Sequence, residues 1–226
     1  MIDLLDSALF GINDDAQKLD DNIKMLKNAY ADGITSLVLA PPCTLHRRGD
    51  TERFLKNRNK EQEKFKQLNL TEAPSIIYGA KVLMDHDLSL HRHIEKLCID
   101  NGKFLLIELP NFARISDFDE WIYNLNMKGI IPIIAHVEKY PLWKNLIEGL
   151  SSVKVCYQIN ASTLKNFFRR NIIKKLISAR KKFFIASGSR DLSLRTFSLQ
   201  TTLQIARKHF PKYFSSFFLT DFNFYI

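Results

Sequence analysis

Glu108 sits at the end of the apolar run "KFLLIEL", and His136 ends the run "GIIPIIAH". A carboxylate and an imidazole in such places can ligate a metal, move a proton, or settle as hydrogen-bonded groups at the edge of a core. Other apolar runs also stop on polar residues: "APPC" at 40–43, "GAK" at 79–81, "QINAS" at 158–162 and "ASGSRD" at 186–191. Four cations accompany them, Lys81, Lys139, Arg190 and Arg195. Cations gathered in one pocket favour phosphate, sulfate or an acidic tail without needing a metal.

A second grouping, "MDHDLSLHRHIEK", holds Asp85, His86, Asp87, His91, His93 and Glu95. On a helix His91 and Glu95 would share a face while His91 and His93 would point apart, which favours a polar loop and helix start over a metal site. Cys43, Cys98 and Cys156 are followed six residues later by Gly49, Phe104 and Ser162, so none opens the C-x5-R motif of a cysteine phosphatase. The eight glycines form neither G-x-G-x-x-G nor G-x-x-x-x-G-K, so no phosphate-cradling loop is spelled out.

These residues need a scaffold. Strand-like runs begin at Ile34, Ser75, Lys103, Gly129, Lys154 and Lys182, and "MIDLLDSALF" offers one more. Helical patterns lie between them, near 15–31, 51–68, 115–127, 141–150, 162–180 and 196–209. Nearly continuous Val, Ile, Leu and Phe in the strands predicts a parallel sheet covered by helices. Six or seven βα units favour a barrel over an open sheet. Polar residues at strand C-termini are where such folds place their chemistry.

The chain has 226 residues, 46% hydrophobic and 25% charged, the composition of an ordinary globular domain. No linker, repeat or low-complexity segment divides it, so residues 1–226 read as one domain. Asp3 and Asp6 interrupt any signal-like N-terminus and no apolar run reaches a membrane span. Three scattered cysteines fit a reducing, cytoplasmic setting. The net charge is +9, and much of the excess lies between Lys165 and Lys182, which hold eight basic residues and no acidic one. Phe167, Phe168, Ile172, Ile173, Leu176 and Ile177 give that segment an apolar stripe, so a packed helix with a solvated basic face is expected. Nucleic-acid binding would rest on charge alone and is not expected. The aromatic tail "FPKYFSSFFLTDFNFYI" is expected to pack on the fold.

The segments "MIDLLDSALFGINDDAQKLDDNIKMLKNAYADGITSLVLAPP", "LLIELP", "GIIPIIAHVEKY", "YQINASTL" and "FFIASGSRDLSLR" resemble, in order and spacing, bacterial protein-tyrosine phosphatases of the polymerase-and-histidinol-phosphatase (PHP) superfamily. That resemblance implies a distorted (β/α)7 barrel and a cluster of divalent metals, commonly manganese, at the strand C-termini. It also implies work beside the tyrosine autokinases of capsule and exopolysaccharide export. Such a cluster would neutralise a phosphate ester and activate a water.

The resemblance fails at most of the ligand positions. The family's opening histidine pair is replaced by Leu5 and Ser7, and its Thr-Pro-His histidine by Pro42. A metal-bridging glutamate is replaced by Lys81, and the late aspartate and histidine by Gly188 and Arg190. Glu108 and His136 match, while the following phosphate-binding arginine appears as Lys139 and a further one matches Arg195. Two of eight ligand positions therefore persist, as vestiges, and no cofactor is expected. An ion pair of Lys81 with Glu108, joined by Arg190, is expected where the metals would sit.

Three functions follow. The first is a pseudoenzyme whose basic mouth (Lys81, Lys139, Arg190, Arg195) holds a phosphotyrosine, sulfate or acidic tail. The others are a working phosphatase with a rebuilt site and a structural scaffold of an envelope system. The partner class is a tyrosine autokinase or another phosphorylated or acidic protein.

Overall fold

The computed structural model describes residues 1–5, 19–67, 70–110, 115–187 and 199–218. The first half comprises β1 (Ile2–Leu5), α1 (Leu19–Ala31), β2 (Ser36–Leu39), β3 (Pro42–Cys43), α2 (Asp50–Gln67), β4 (Ser75–Tyr78) and β5 (Lys81–Leu83). After three short 3-10 turns come β6 (Phe104–Glu108), α3 (Ile115–Met127), β7 (Ile131–Ile134), α4 (Trp143–Gly149) and β8 (Cys156–Asn160). The last elements are α5 (Ser162–Lys165), α6 (Arg170–Ser178), β9 (Lys182–Ala186) and α7 (Leu199–His209). Each expected strand is present, but shorter than its apolar run, and "SIIYGAKVL" is split into β4 and β5 at Gly79-Ala80.

All paired strands are parallel, in the orders β1-β2-β4 and β3-β5-β6-β7-β8-β9. The ladder runs on between the two sheets: Gly79 N–H donates to Leu39 O and Lys81 N–H to Pro41 O, both at 3.0 Å. Counting β2 with β3 and β4 with β5, the strands among the described residues occupy seven positions. At the other edge, Ser187 N–H after β9 donates to the Asp3 carboxylate of β1 at 2.8 Å. The chain thus has the α/β architecture with parallel sheets that the alternating pattern predicted.

Side chains alternate along each strand and bury on both faces, as a covered parallel sheet requires. Leu105, Ile107, Ile134, Tyr157, Ile159 and Ile185 pack against the helices, among them Phe118 and Ile122 of α3 and Leu176 of α6. On the opposite face Leu4, Val38, Phe104, Leu106, Ile133, Cys156 and Phe184 meet in a core drawn from strands of both sheets. Helix α3 stops at Gly129, whose φ of +77° allows Ile130 N–H to bond back to Leu125 O at 3.0 Å.

The basic segment departs from expectation. One helix over 162–180 is expected, yet the chain forms α5, a turn, and then α6. Ile172, Ile173 and Leu176 are buried, but Phe167 and Phe168 lie on the turn at 68% and 79% exposure. Asn166 explains the break: its side-chain oxygen accepts the N–H of Phe168 and of Arg169, drawing the backbone out of the helix. In the aromatic tail Phe217 is buried and Phe214 and Phe218 pack on the core, while residues 219–226 lie outside the described residues. Among the described residues no helix is long and apolar enough to cross a membrane.

Candidate functional site

Lys81 opens β5 directly after the Gly79-Ala80 break, in register with Pro42 of β3 on one side and Leu106 of β6 on the other. That register places its side chain among strand residues, where it is 1% exposed. Its Nζ lies 2.8 Å from Oε2 of Glu108, the last residue of β6, whose side chain is 40% exposed. The expected Lys81–Glu108 pair is therefore present. Two unit charges at about 4 Å gain roughly 4 kcal/mol at an effective dielectric of 20, and the lysine's desolvation offsets much of that gain. Arg190, the expected third member, lies outside the described residues.

His136 follows β7 and leaves the strand abruptly, at φ 49° and ψ 42°. A non-glycine residue held there costs on the order of 1–3 kcal/mol and persists only when its surroundings enforce it. Here two amides of β8 do so. The His136 N–H donates to Gln158 Oε1 at 2.7 Å, and its Nδ1 meets Asn160 Oδ1 at 2.8 Å. An amide oxygen only accepts, so Nδ1 carries a proton. Gln158 also donates to Asn160 Oδ1 at 3.2 Å. All three residues are buried.

A one-turn 3-10 helix, Val137–Lys139, follows. Glu138 accepts the Asn160 N–H at 3.4 Å through one carboxylate oxygen, and the other has no hydrogen-bond partner among the described residues. Burial holds the Glu138 carboxyl above the usual range, and His136 and Lys139 pull it partly back. Lys139 is exposed, three residues beyond His136. On β1, Asp3 is buried and its carboxyl is raised by that burial against the opposing hydrogen bonds from Ser187.

Of the expected site, the fold brings together Lys81 with Glu108 and seats His136 at the end of the neighbouring strand, where Ala135 N–H pairs with Ile107 O. Leu5 ends β1 opposite Leu39, and Pro42 is exposed. Ser7, Gly188, Arg190 and Arg195 lie outside the described residues. Asp3 and Glu138 were not singled out as site residues from sequence, and Gln158 and Asn160 only as part of the polar strand end at 158–162. The one signal was polar residues at alternate positions of the otherwise apolar "CYQIN", which a buried strand tolerates only with partners.

The divalent cluster that the resemblance implies does not fit these residues. An ammonium has three donors and no lone pair, and here it occupies the glutamate's hydrogen-bonding position. Among the described residues no three His, Cys, Asp or Glu side chains are grouped so as to hold a metal. The cysteines offer no alternative nucleophile: all are buried, and burial pushes the thiols of Cys43 and Cys98 up to about 12 and that of Cys156 higher still.

The histidine-rich stretch is a loop with 3-10 turns. Asp87 caps one of them by accepting the Ser89 N–H at 2.9 Å. His93 turns away to pair with Glu95 at 3.5 Å, whereas His91 points back to His86. His46 joins from the β3–α2 loop, a convergence the sequence did not announce: Asp85 bonds His46 Nε2 at 2.7 Å and His86 Nδ1 at 2.6 Å.

Comparison with known proteins gives consistent results. The family model described as capsular polysaccharide synthesis, CpsB/CapC, matches residues 1–223. The tyrosine-protein phosphatase CpsB of Streptococcus agalactiae is 25% identical over 227 residues, covering 94% of this chain and 92% of that protein. The tyrosine-protein phosphatase YwqE of Bacillus subtilis is 27% identical over 225 residues, covering 93% and 85%. The fold matches a chain from the crystal structures of YwqE from Bacillus subtilis and CpsB from Streptococcus pneumoniae, metal-dependent tyrosine phosphatases. The TM-score is 0.69 at 21% identity, over 93% of this chain and 87% of that one.

Proposed function

This chain belongs to the CpsB/CapC family of capsular polysaccharide synthesis, and from that premise we propose that it binds a phosphorylated or acidic protein of such a system without hydrolysing it. It is a homologue of tyrosine-protein phosphatases, so a phosphotyrosyl segment is the favoured ligand and a tyrosine autokinase the favoured partner. The observation that carries the reading is the buried Lys81 ammonium, 2.8 Å from Glu108. It supplies a fixed positive charge where the family's metal chemistry needs a bridging carboxylate. Lys81 is paired with Glu108, and Lys139, Arg190 and Arg195 are the further cations that the sequence offers to an incoming anion. The protein would act in the cytoplasm, where an autokinase's phosphotyrosines are exposed.

The test is a phosphotyrosyl peptide followed in two ways, by fluorescence anisotropy for binding and by phosphate release with manganese present. Binding without release, weakened by Lys139→Ala, is the expected result. Manganese-dependent release that the Glu108→Ala, His136→Ala double variant abolishes would establish the alternative, a working phosphatase. No binding and no release would leave the scaffold role.

A further inference from the structure

Between α5 and α6 the chain turns through Asn166, Phe167, Phe168 and Arg169, and both phenylalanines are left in solvent, at 68% and 79% exposure. The turn is fixed: the Asn166 side-chain oxygen accepts the N–H of Phe168 at 3.0 Å and that of Arg169 at 3.1 Å. The two rings meet edge to face with centroids 5.7 Å apart, and the Arg170 guanidinium lies 5.9 Å from the Phe167 ring. Single exposed apolar side chains are ordinary on a protein surface, whereas a contiguous apolar patch points to an interaction. The apolar side of α6 (Ile172, Ile173 and Leu176) is already buried in the core, so the turn is what this segment offers to a partner.

The surroundings of the turn are cationic. Residues 165–182 hold eight Lys and Arg and no Asp or Glu, and Arg169 and Lys174 are exposed. Arg170 carries the patch across to the last turn of α7, where its Nη1 lies 3.1 Å from His209 Nε2, beside the exposed Arg207 and Lys208. Residues 199–218 also contain no Asp or Glu. Glu148 of α4 reaches α6 and is neutralised there by Lys175.

We propose that this face docks on an anionic lipid bilayer, with Phe167 and Phe168 entering the boundary between headgroups and acyl chains and the surrounding cations meeting the headgroups. Two phenylalanine side chains offer roughly 300–500 Å² of contact area, well under the ~800 Å² per partner of a stable protein–protein interface. A bilayer demands no matched surface, because shallow insertion of apolar side chains and attraction of Lys and Arg to anionic headgroups reinforce each other. An acidic protein held by the cations alone would leave both rings in water.

The experiment is co-sedimentation of the intact chain with vesicles of phosphatidylcholine alone and of phosphatidylcholine mixed with phosphatidylglycerol. Binding to the mixed vesicles only is expected. Phe167→Ser combined with Phe168→Ser keeps every charge and should weaken that binding at least about tenfold, through the loss of two inserted rings. Arg169→Gln combined with Lys174→Gln should weaken it by roughly fivefold per residue. Lys56→Gln combined with Lys60→Gln removes the same charge from exposed positions of α2 and should cost less than about threefold. In Phe168→Trp, brominated lipid should quench tryptophan fluorescence beyond the parent's level, which reports insertion rather than adsorption. All these side chains are exposed, so thermal melts should match the parent. Absence of binding to mixed vesicles, equal binding to both vesicles, parent-like affinity in the double serine variant or an equal loss in the α2 variant would overturn the proposal. So would a Phe168→Trp chain quenched no more than the parent. A parent that is dimeric in analytical ultracentrifugation and monomeric as the double serine variant would overturn it too, because the rings would then face a second copy.

Discussion

Lys81 and Glu108 form an ion pair whose two partners are unequal. Lys81 is buried and Glu108 is half-exposed. Removing the carboxylate therefore leaves a buried ammonium, whereas removing the ammonium leaves a carboxylate that water still reaches. Breaking a buried pair from the costly side is worth about 3–5 kcal/mol, and the solvent at Glu108 reduces this to roughly 2–3 kcal/mol. Glu108→Gln should thus destabilise by that amount in urea unfolding, while Lys81→Met, which keeps the apolar stem, should be within about 1 kcal/mol of the parent. Equal losses from both would show that the pair is not the unit described. His136 belongs to the same scale: its left-handed backbone is held by Gln158 and Asn160.

Among the elements, the join between β1 and β9 rests on a titratable group. Burial raises the Asp3 carboxyl above the ordinary aspartate value of about 4. The folded chain therefore binds this proton more tightly than the unfolded chain does. The resulting stability is complete below about pH 4 and is lost as pH rises through the raised value. Asp3→Asn does not titrate and can still accept the Ser187 N–H, so its advantage in melting temperature over the parent should grow from about pH 4 to about pH 8. A constant difference would mean that Asp3 does not titrate abnormally. In the basic segment, Leu176 is fully buried and Phe167 is on the surface turn. Leu176→Ala should cost about 2–5 kcal/mol and Phe167→Ser under about 0.5 kcal/mol. The reverse order in chemical denaturation would restore the single helix expected from periodicity.

For the whole molecule, a net charge of +9 makes anion binding long-ranged and sensitive to salt. Phosphotyrosyl-peptide affinity should fall at least about threefold between about 0.05 and about 0.5 M salt, as the screening length contracts from beyond 10 Å to a few ångströms. An affinity indifferent to salt would place binding in apolar contacts instead. The same global view separates what was legible in the chain from what was not. Alternating apolar runs and helical patterns are local signals, so the parallel α/β class, most helices and the strands other than β3 and the split of β4 from β5 could be read directly. The Lys81–Glu108 pair was legible too, because the resemblance placed both residues at positions of one shared site. Asn166 broke the predicted basic helix through a side-chain hydrogen bond that hydrophobic periodicity does not register. Sequence by itself determined the alternation of strands with helices and the covered parallel sheet, because each depends on residue type at a position along the chain. Only tertiary structure decided that Asp3 meets Ser187, that Gln158 and Asn160 lock His136, and that His46 joins Asp85 and His86. Those contacts join residues 22 to 184 positions apart, and side-chain direction across a fold is set by packing rather than by spacing.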